Sequence, residues 1–384
     1  MNLAHKIHFF VNRELSEVYV SYAMRAFAFS MIGLFIPIFL LNMNYSLKEV
    51  LLFYFFVELL GIPFIFLSAK LAEKIGFKHT ILLSVPVQIL FFFLLFALGK
   101  NHIPLWFIGL IYGISSMLFW MPFHFEFAKN SDKKKRGFEF GMLETFSLLV
   151  VVAGPILGAV MIEKFSFNAL FVMVSLLLFL STFPLFLSKD KKQPFNINFK
   201  KFFFKYEQDA NIFFHEGIAD YAYVIIWPIF IYFMLGGIMN LGIIGSIGCF
   251  FTAFVPAIIG NLSDKFSREK MLKIGAFIAA PVDVLRGFFS SFSWILVWTA
   301  LSSFAVAFFH TPFIAVFYDK TAKHKYEEYV AFREIYVRLG RCALLVLLII
   351  LLAIEIYWQY VFIIAFILAA ASTLVCSRYS EVKS

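Results

Sequence analysis

The chain has 384 residues, of which 62% are hydrophobic and 15% are charged, and its formal net charge is +9. Soluble domains carry about 45–50% apolar and about 25% charged residues, so this composition excludes a water-soluble globular protein. The excess positive charge is scattered over short loops rather than gathered on a folded basic surface, which argues against nucleic-acid binding.

Twelve apolar runs follow one another along the chain, separated by short polar breaks. Each is close to the roughly 20 mainly apolar residues that a helix needs to cross a bilayer. We predict membrane spans over residues 18–41, 48–68, 80–98, 103–127, 139–162, 168–187, 212–235, 240–260, 271–290, 294–317, 330–353 and 358–376. The breaks leave no room for a soluble domain, so the expected fold class is an all-α polytopic membrane protein.

The distribution of Lys and Arg over the loops predicts the orientation of the chain. Most of the Lys and Arg residues outside the spans fall in segments on the same side as the N-terminus, including residues 129–137 (KNSDKKKRG). Loops rich in Lys and Arg stay in the cytoplasm. We therefore expect a multi-pass protein of the plasma (inner) membrane with both termini in the cytoplasm.

The sequence repeats itself at half its own length. Residues 36–39 (IPIF) return 191 positions later as residues 227–230 (WPIF), and residues 71–74 (LAEK) return at the same distance as residues 262–265 (LSDK). A constant offset between separate landmarks indicates that a bundle of helices has been duplicated. Duplicated bundles are typical of secondary transporters, whose substrate site lies between the two halves.

A basic segment between the sixth and seventh predicted spans marks the boundary of the duplication. We predict an N-terminal six-helix half over residues 1–188, a cytoplasmic central loop over residues 189–211 and a C-terminal six-helix half over residues 212–384. Within this loop, residues 199–206 (FKKFFFKY) suit a segment that lies on anionic membrane lipids, or alternatively a solvated loop.

Two loops at the repeat distance carry a related motif. Residues 69–78 (AKLAEKIGFK) follow the second span and residues 260–270 (GNLSDKFSREK) follow the eighth. Both resemble the G-x-L-A-D-R-x-G-R-K loop of the major facilitator superfamily, with departures at Phe77 and Glu269. The resemblance implies cytoplasmic gating residues at Ala69, Leu71, Glu73, Lys74, Gly76, Lys78, Gly260, Asp264, Lys265 and Arg268. An acid at a span end can bind a neighbouring helix N-terminus or a basic side chain in one conformation and release it in another.

The fifth span carries a second motif of the same superfamily. Its pattern g-x8-G-x3-G-P-x2-G-G is associated there with exporters of the antiporter type, and it is matched at Gly141, Gly154, Pro155 and Gly158. Val150 and Ala159 stand where the pattern has glycine. Small residues allow close helix approach and proline permits a bend, so a plain packing kink is the alternative interpretation. The fourth span has no arginine before a glycine, although proton-coupled members often carry one there.

Charged residues inside predicted spans are functional candidates, because a charge at the bilayer centre costs about 2.5–3.5 kcal/mol on insertion scales. The candidates for substrate binding or proton coupling are Arg25, Glu58, Glu144, Glu334, Arg338 and Arg341. Arg25 is expected to pair with a cavity acid, with an anionic substrate or in a structural salt bridge. Glu58 is expected to be paired or protonated, because its position at mid-span prevents snorkelling.

Three of these residues share one face of the eleventh span. Glu334, Arg338 and Arg341 are spaced i, i+4, i+7, so Glu334 and Arg338 can form an ion pair. Arg341 is then left for an anionic substrate group or for a carboxylate of another span, such as Glu58 or Glu144. Glu144 and Glu334 are repeat-related, and they suit a coupled protonation step, a cytoplasmic gate or salt bridges to adjacent loops.

Other polar residues in the spans receive structural interpretations. His215 is expected to be interfacial, and Asp283 and Arg286 are expected to form a structural i,i+3 pair in a peripheral ninth helix. The three cysteines, Cys249, Cys342 and Cys376, fall within apolar spans and suit neither a disulfide nor a metal site. We predict no catalytic residue, no metal and no cofactor. We also predict no ATP hydrolysis, because no phosphate-binding G-x-x-x-x-G-K-[ST] motif occurs.

The resemblance to the major facilitator superfamily implies twelve transmembrane helices arranged as two pseudo-symmetric six-helix halves. It further implies a secondary active transporter, not an enzyme, that works by alternating access. Export of a small molecule by proton antiport is the function that we expect. Uptake or exchange of an organic anion or nutrient is one alternative, and a lipid or headgroup translocase is another. The expected partners are a small-molecule substrate, protons and membrane lipids, and the chain is expected to be a monomer.

Overall fold

The computed structural model describes residues 13–99, 102–130, 151–187, 205–263 and 267–379, together with residues 190, 192, 195 and 202. Regular structure in these residues is helical throughout, with no strand. Nine of the described helices are long and apolar enough to cross a membrane. Hydrocarbon offers the backbone no hydrogen-bond partners, and helices satisfy theirs within each span.

We number the spans 1 to 12 in chain order. Those of the first half are Arg13–Ile32 continued by Gly33–Phe35 and Ile36–Asn42 (span 1), Leu47–Ile75 (span 2), Phe77–Leu98 (span 3), Leu105–Asn130 (span 4), Gly154–Lys164 (the described helix of span 5) and Phe167–Leu180 with a 3₁₀ turn at Phe183–Phe186 (span 6).

The second half repeats this series. Its spans are Glu207–Tyr221 continued by Ala222–Ile226 and Trp227–Leu235 (span 7), Ile238–Ser263 (span 8), Arg268–Leu285 with a 3₁₀ turn at Arg286–Phe288 (span 9), Phe292–Lys323 (span 10), Tyr326–Ala353 (span 11) and Trp358–Cys376 (span 12). The sequence places the helices correctly, but several run beyond the predicted bounds. Span 2 continues to Ile75 rather than ending at residue 68, because a helix can extend past the hydrocarbon into polar sequence.

The repeated proline motif has the same structural role in both halves. Pro37 lies in the first turn of Ile36–Asn42, the last segment of span 1, and this segment follows a 3₁₀ turn. Pro228 lies in the first turn of Trp227–Leu235, the last segment of span 7, and this segment follows a π turn. Proline lacks the backbone N–H of a regular helix and clashes with the preceding turn. The regular α-helix is therefore interrupted just before the repeated proline in both span 1 and span 7.

Glycines allow several spans to approach closely. A Cβ atom added at Gly217 of span 7 would lie 2.0 Å from the carbonyl oxygen of Val337, and one added at Gly340 of span 11 would lie 1.9 Å from that of Phe214. These two glycines therefore permit spans 7 and 11 to pack backbone against backbone. The two halves meet along spans 2 and 11 and along spans 5 and 8.

We call the end of the bundle where the described chain begins, at Arg13, and ends, at Tyr379, the terminal end. Because the spans alternate in direction, the connections after spans 2, 8 and 10 also lie there. Side-chain bonds agree with this placement, since Lys78 Nζ donates to Glu17 Oε2 at 2.7 Å and the hydroxyls of Tyr329 and Tyr379 lie 2.7 Å apart.

Candidate functional site

A cavity of about 510 Å³ lies between the two halves. Spans 1 to 5 contribute lining residues from the first half, and spans 7, 8 and 10 contribute them from the second. Most of the lining is aromatic or aliphatic, and the aromatic side chains include Phe29, Tyr54, Tyr112, Trp120, Tyr223 and Trp227. A volume of this size is in the range of small-molecule sites, which are mostly apolar with a few polar groups.

Contacts between the halves lie at both ends of the cavity. At the end opposite the termini, the Tyr232 hydroxyl donates to Asn42 Oδ1 at 2.9 Å, joining span 7 to span 1. Toward the terminal end, His124 Nδ1 lies 2.9 Å from the Tyr318 hydroxyl, joining span 4 to span 10. Bonds between the two halves thus lie on either side of the cavity along the bundle.

Arg25 is the only charged side chain among the described residues that line this cavity. The residue is buried, and its guanidinium carbon lies 4.0 Å from the centre of the Phe119 ring and 5.0 Å from that of Phe29. Nη1 donates to Ser84 Oγ at 3.3 Å. Across residues 13–99, 102–130 and 151–187 no carboxylate forms an ion pair with Arg25, so the cavity acid expected from the sequence is not found there.

A polar chain leads from Arg25 along span 3. Ser84, which binds Arg25, accepts a hydrogen bond through its carbonyl oxygen from the Ser115 hydroxyl at 3.1 Å. The same hydroxyl lies 2.7 Å from Gln88 Oε1, so its single proton is shared between two acceptors, of which the amide oxygen is the nearer. Ser84 and Gln88 are one helical turn apart and therefore lie on one face of span 3. Gln88 also lines the cavity, so the lining holds an amide as well as the guanidinium.

Glu58, near the middle of span 2, binds three residues of the other half. Its Oε2 accepts from Arg338 Nη1 at 2.8 Å, and its Oε1 accepts from the Tyr221 hydroxyl at 2.5 Å. Arg341 Nη1 lies 3.3 Å from Glu58 Oε2, while its Nη2 donates to Asp220 Oδ2 at 2.7 Å. We call these five residues the central ion cluster. Two carboxylates balance two guanidinium groups in it, which offsets the cost of burying charge.

The central ion cluster borders the cavity through Arg338. Arg338 Nη2 donates to the hydroxyl of Ser116, a lining residue of span 4, at 3.3 Å. Gly61 provides the space for this side chain, because a Cβ atom there would lie 2.7 Å from Arg338 Nη1. A ligand in the cavity is therefore separated from the inter-half ion pairs by a single hydroxyl.

A second group of charges joins the halves closer to the terminal end. Arg333 binds both oxygens of Glu216 and donates to Glu334 Oε1 at 3.1 Å. Glu334 Oε1 also lies 3.7 Å from Nε2 of His124, whose other nitrogen contacts Tyr318. We call these five residues the terminal ion cluster.

The structure corrects the pairing that helical spacing suggested for span 11. Glu334 and Arg338 do not bind each other, although they are spaced i, i+4. Glu334 binds Arg333 and His124, whereas Arg338 turns to Glu58. The adjacent arginine and residues of other spans replace the i,i+4 pair, because charge-assisted hydrogen bonds are the strong ones available to a buried carboxylate. Arg341 contacts Glu58, one of the two carboxylates that the sequence suggested for it. The other, Glu144, lies outside the described residues, as does Gly141 of the span 5 motif.

The loop motifs sit at the terminal end, where their side chains differ in environment. Lys78 is buried against Glu17, whereas Lys74 is exposed and Ala69 is buried in span 2. Glu73 and Leu71 lie half-buried on the last turns of span 2. In the second copy, Arg268 forms an ion pair with Asp319 of span 10. Asp264 and Lys265 fall outside the described residues, and Gly260 lies within the helix of span 8.

Asp190, in the central loop, binds the end of the first copy of the loop motif. Asp190 caps the start of span 3, since its Oδ1 accepts from the Lys78 N–H at 3.0 Å and its Oδ2 from the His79 N–H at 2.9 Å. Gly76 connects spans 2 and 3 with a φ of 103°, and a Cβ atom there would lie 2.1 Å from Asp190 Oδ2. Both the backbone conformation and the space require glycine.

The span 5 motif lies at a junction of three spans. A Cβ atom at Gly154 would lie 1.8 Å from Ser30 Oγ, and one at Gly158 would lie 1.9 Å from the carbonyl oxygen of Met31, both in span 1. Pro155 lines the cavity and meets Gly245 of span 8 in the other half. The motif thus provides close packing at the boundary between the halves.

The sequence also singled out an acid–base pair, a histidine and three cysteines in the spans. Asp283 and Arg286 form the expected i,i+3 pair with a separation of 3.4 Å. Arg286 is fully buried rather than peripheral, with its guanidinium 5.1 Å from the ring of the cavity residue Trp227. His215 Nδ1 lies 3.0 Å from the Ser372 hydroxyl of span 12. Cys249, Cys342 and Cys376 are all free thiols.

Sequence reasoning missed several residues of the site. Arg333 and His124 lie within predicted spans, and the charge of Arg333 could have marked it in the way that it marked Arg338. Gln88 is the one amide in an otherwise apolar stretch of span 3. Tyr221 carried no signal, because tyrosine is common in spans and its bond to Glu58 depends on how two distant spans meet.

Comparison with known proteins adds to this description. A family model described as Major Facilitator Superfamily matches residues 18–241 and, in a second copy, residues 212–383. No curated protein matches the chain.

Two solved structures are similar along nearly their whole length. A variant of the E. coli fucose:proton symporter FucP shares 13% sequence identity, with 97% of this chain and 100% of that chain covered and a TM-score of 0.68. The human organic anion transporter MFSD10 (TETRAN) shares 12% identity, with 95% of this chain and 98% of that chain covered and a TM-score of 0.64. At such identities the likeness concerns the fold, with its twelve helices in two six-helix halves.

Proposed function

The chain belongs to the major facilitator superfamily, and we propose that it carries an amphiphilic organic anion across its membrane by secondary active transport. As a member of this family it is an integral, multi-pass membrane transporter of small molecules and not an enzyme. The proposed mechanism is alternating access, in which the two halves rock around the cavity. The substrate's anionic group would bind Arg25, and its apolar body would contact the aromatic lining.

The observation that carries this proposal is the charge of the cavity. Arg25 is its only charged side chain among the described residues, and the remaining lining is mostly apolar. A guanidinium inside the membrane is costly unless a partner compensates it, so its presence favours an anionic ligand. Arg338 and Arg341, which the sequence also offered for anion binding, are occupied by Glu58 and Asp220.

Protons are the coupling ion that we propose. Movement of the halves has to break or rearrange the bonds between Glu58 and the arginines of span 11. Protonation of Glu58 would remove its charge and weaken both ion pairs, so proton uptake and a change of access would be linked. Glu334 is the second coupling candidate, because it joins His124 of one half to Arg333 of the other.

Transport by purified protein in proteoliposomes tests the substrate class. We would compare uptake of radiolabelled 1-naphthoate, its neutral alcohol analogue and the lipophilic cation tetraphenylphosphonium. The expected result is saturable uptake of the anion, loss of uptake in Arg25→Gln and partial retention in Arg25→Lys. Lys48→Gln, which removes an exposed cation at the far end of the bundle, serves as the matched control. Preferential uptake of the cation by the unaltered protein would overturn the proposal.

Export by proton antiport is the direction that we propose, and the span 5 motif favours it. Gly154, Pro155 and Gly158 match the exporter pattern and lie where the halves meet. In everted vesicles with an acidic interior, addition of substrate should dissipate the proton gradient, and Glu58→Gln should prevent this. Uptake that collapses an opposite gradient would indicate symport and import instead.

A plasma-membrane location with both termini in the cytoplasm remains a proposal, supported by the Lys and Arg of the terminal-end loops. Single cysteines introduced at exposed positions test it, since Lys74→Cys should react only with reagents that reach the cytoplasm and Glu355→Cys only with external ones. A monomer is likewise proposed, and light scattering of the purified protein checks it.

A further inference from the structure

An unpartnered amide lines the same cavity as Arg25. Gln88 is fully buried, and in the part of the chain that the structure describes its Nε2 has no hydrogen-bond partner. A buried donor without a partner is costly, and such groups occur chiefly where a ligand or water supplies the missing acceptor. Since Gln88 lines the cavity, a ligand held there can supply it.

The surroundings of Gln88 determine which group it offers. The Ser115 hydroxyl, 2.7 Å away, occupies the amide oxygen, so the two N–H donors are left over. Arg25 lies at the other end of the same polar chain, with Nη1 donating to Ser84 and its guanidinium carbon 4.0 Å from the centre of the Phe119 ring. Guanidinium and amide together present only donors, which selects for a ligand group that only accepts.

We infer that Arg25 and Gln88 form a two-residue subsite for a carboxylate, an inference that rests on the proposed transport of organic anions. A carboxylate has two coplanar oxygens, which match the planar fork of a guanidinium, and its remaining lone pairs can accept from the amide. The substrate class is therefore an aromatic or aliphatic monocarboxylate. A carboxamide of the same shape lacks the charge and brings its own donors to a site that holds only donors.

Binding measurements on three ligands of one shape test the subsite. We would titrate detergent-solubilised protein with naphthalene-2-carboxylate, naphthalene-2-sulfonate and naphthalene-2-carboxamide, and read dissociation constants by calorimetry. The unaltered protein should bind the carboxylate most tightly. Gln88→Leu should weaken carboxylate binding about tenfold, the loss expected when a hydrogen bond to a charged group is removed, and should reduce the preference for carboxylate over sulfonate.

Further variants separate this role from a loss of folding. Gln88→Glu should abolish carboxylate binding, because its own carboxylate would occupy Arg25. Thr80→Val removes another buried hydroxyl from span 3, one that donates to the Gly76 carbonyl and does not line the cavity, and should leave all three dissociation constants unchanged. Apparent melting temperatures of the ligand-free variants identify any that are misfolded.

Three outcomes would overturn the inference. Unchanged carboxylate binding in Gln88→Leu, alongside a loss in Arg25→Gln, would remove Gln88 from the subsite and leave the proposed function intact. Tighter binding of the carboxamide would mean that Gln88 presents its oxygen to the ligand. Failure of the unaltered protein to bind any of the anions would overturn both the subsite and the proposed function.

Discussion

The carboxylate of Glu58 and the guanidinium of Arg338 lie 2.8 Å apart, although the two residues are separated by 280 positions in the chain. Both side chains are almost fully buried, and they belong to opposite halves of the molecule. Their bond, with those of Arg341, is part of the contact that holds span 2 against span 11. The stability of this conformation and the proposed proton coupling therefore depend on the same group.

Neutralising Glu58 should destabilise the protein markedly. Glu58→Gln leaves the buried Arg338 without its carboxylate and removes one of the two carboxylates that bind the half-buried Arg341. Breaking a buried pair from one side costs about 3–5 kcal/mol. The apparent melting temperature in detergent should fall, and Glu207→Gln, an exposed acid on span 7, should not change it. If the loss of stability in the Glu58→Gln/Arg338→Met double variant equals the sum of the losses in the two single variants, the two residues are not energetically coupled.

Adding a methyl group at Gly340 should push spans 7 and 11 apart. The new Cβ atom would overlap the Phe214 carbonyl, which is backbone and cannot rotate away. We expect Gly340→Ala to lower the melting temperature and to weaken the Arg341–Asp220 bond that depends on this approach. Gly33→Ala is the matched control, because nothing lies within 4 Å of a Cβ atom there. Equal melting temperatures for the two variants would contradict the close packing.

The two lysines of the first loop motif should differ in their effect on stability. Lys78→Met leaves the buried carboxylate of Glu17 without its 2.7 Å partner, so we expect a loss of a few kcal/mol, as for other buried pairs broken from one side. Lys74→Met removes an exposed charge and should change the melting temperature little, since surface substitutions usually stay within about 0.5 kcal/mol. Recovery in the Lys78→Met/Glu17→Gln double variant would confirm the pairing, and equal effects of both lysines would exclude it.

Removal of the cap on span 3 should cost a smaller amount. Asp190→Ala leaves the N–H groups of Lys78 and His79 without an acceptor, and losing such a cap typically costs about 1 kcal/mol. Hydrogen exchange measured by mass spectrometry should show faster exchange confined to the first turn of span 3. Asp220→Ala, which does not touch this helix, should leave that exchange unchanged. Protection equal to that of the unaltered protein would mean that Asp190 is not the cap.

The candidate site was only partly predictable. Arg25, Glu58, Arg338 and Arg341 stand out in the sequence because charge is rare in spans, and the structure places all four at or beside the cavity. Their partners did not follow from spacing. Helical geometry suggests that residues four apart on span 11 interact, but each of them found a partner on another element.

The sequence by itself determined the class of protein, the positions of the spans and their duplication, because crossing a bilayer is a local requirement. Each span needs about 20 apolar residues and a backbone whose hydrogen bonds are made within its own helix, whatever its neighbours are. Only the tertiary structure decided that Glu58 binds Arg338, that Gln88 and Arg25 line one cavity and that Glu334 contacts His124. Those relationships depend on how each helix is rotated and how deep it sits against the others. Close packing at glycines such as Gly340 controls both. No single stretch of sequence encodes them, because each involves two distant spans.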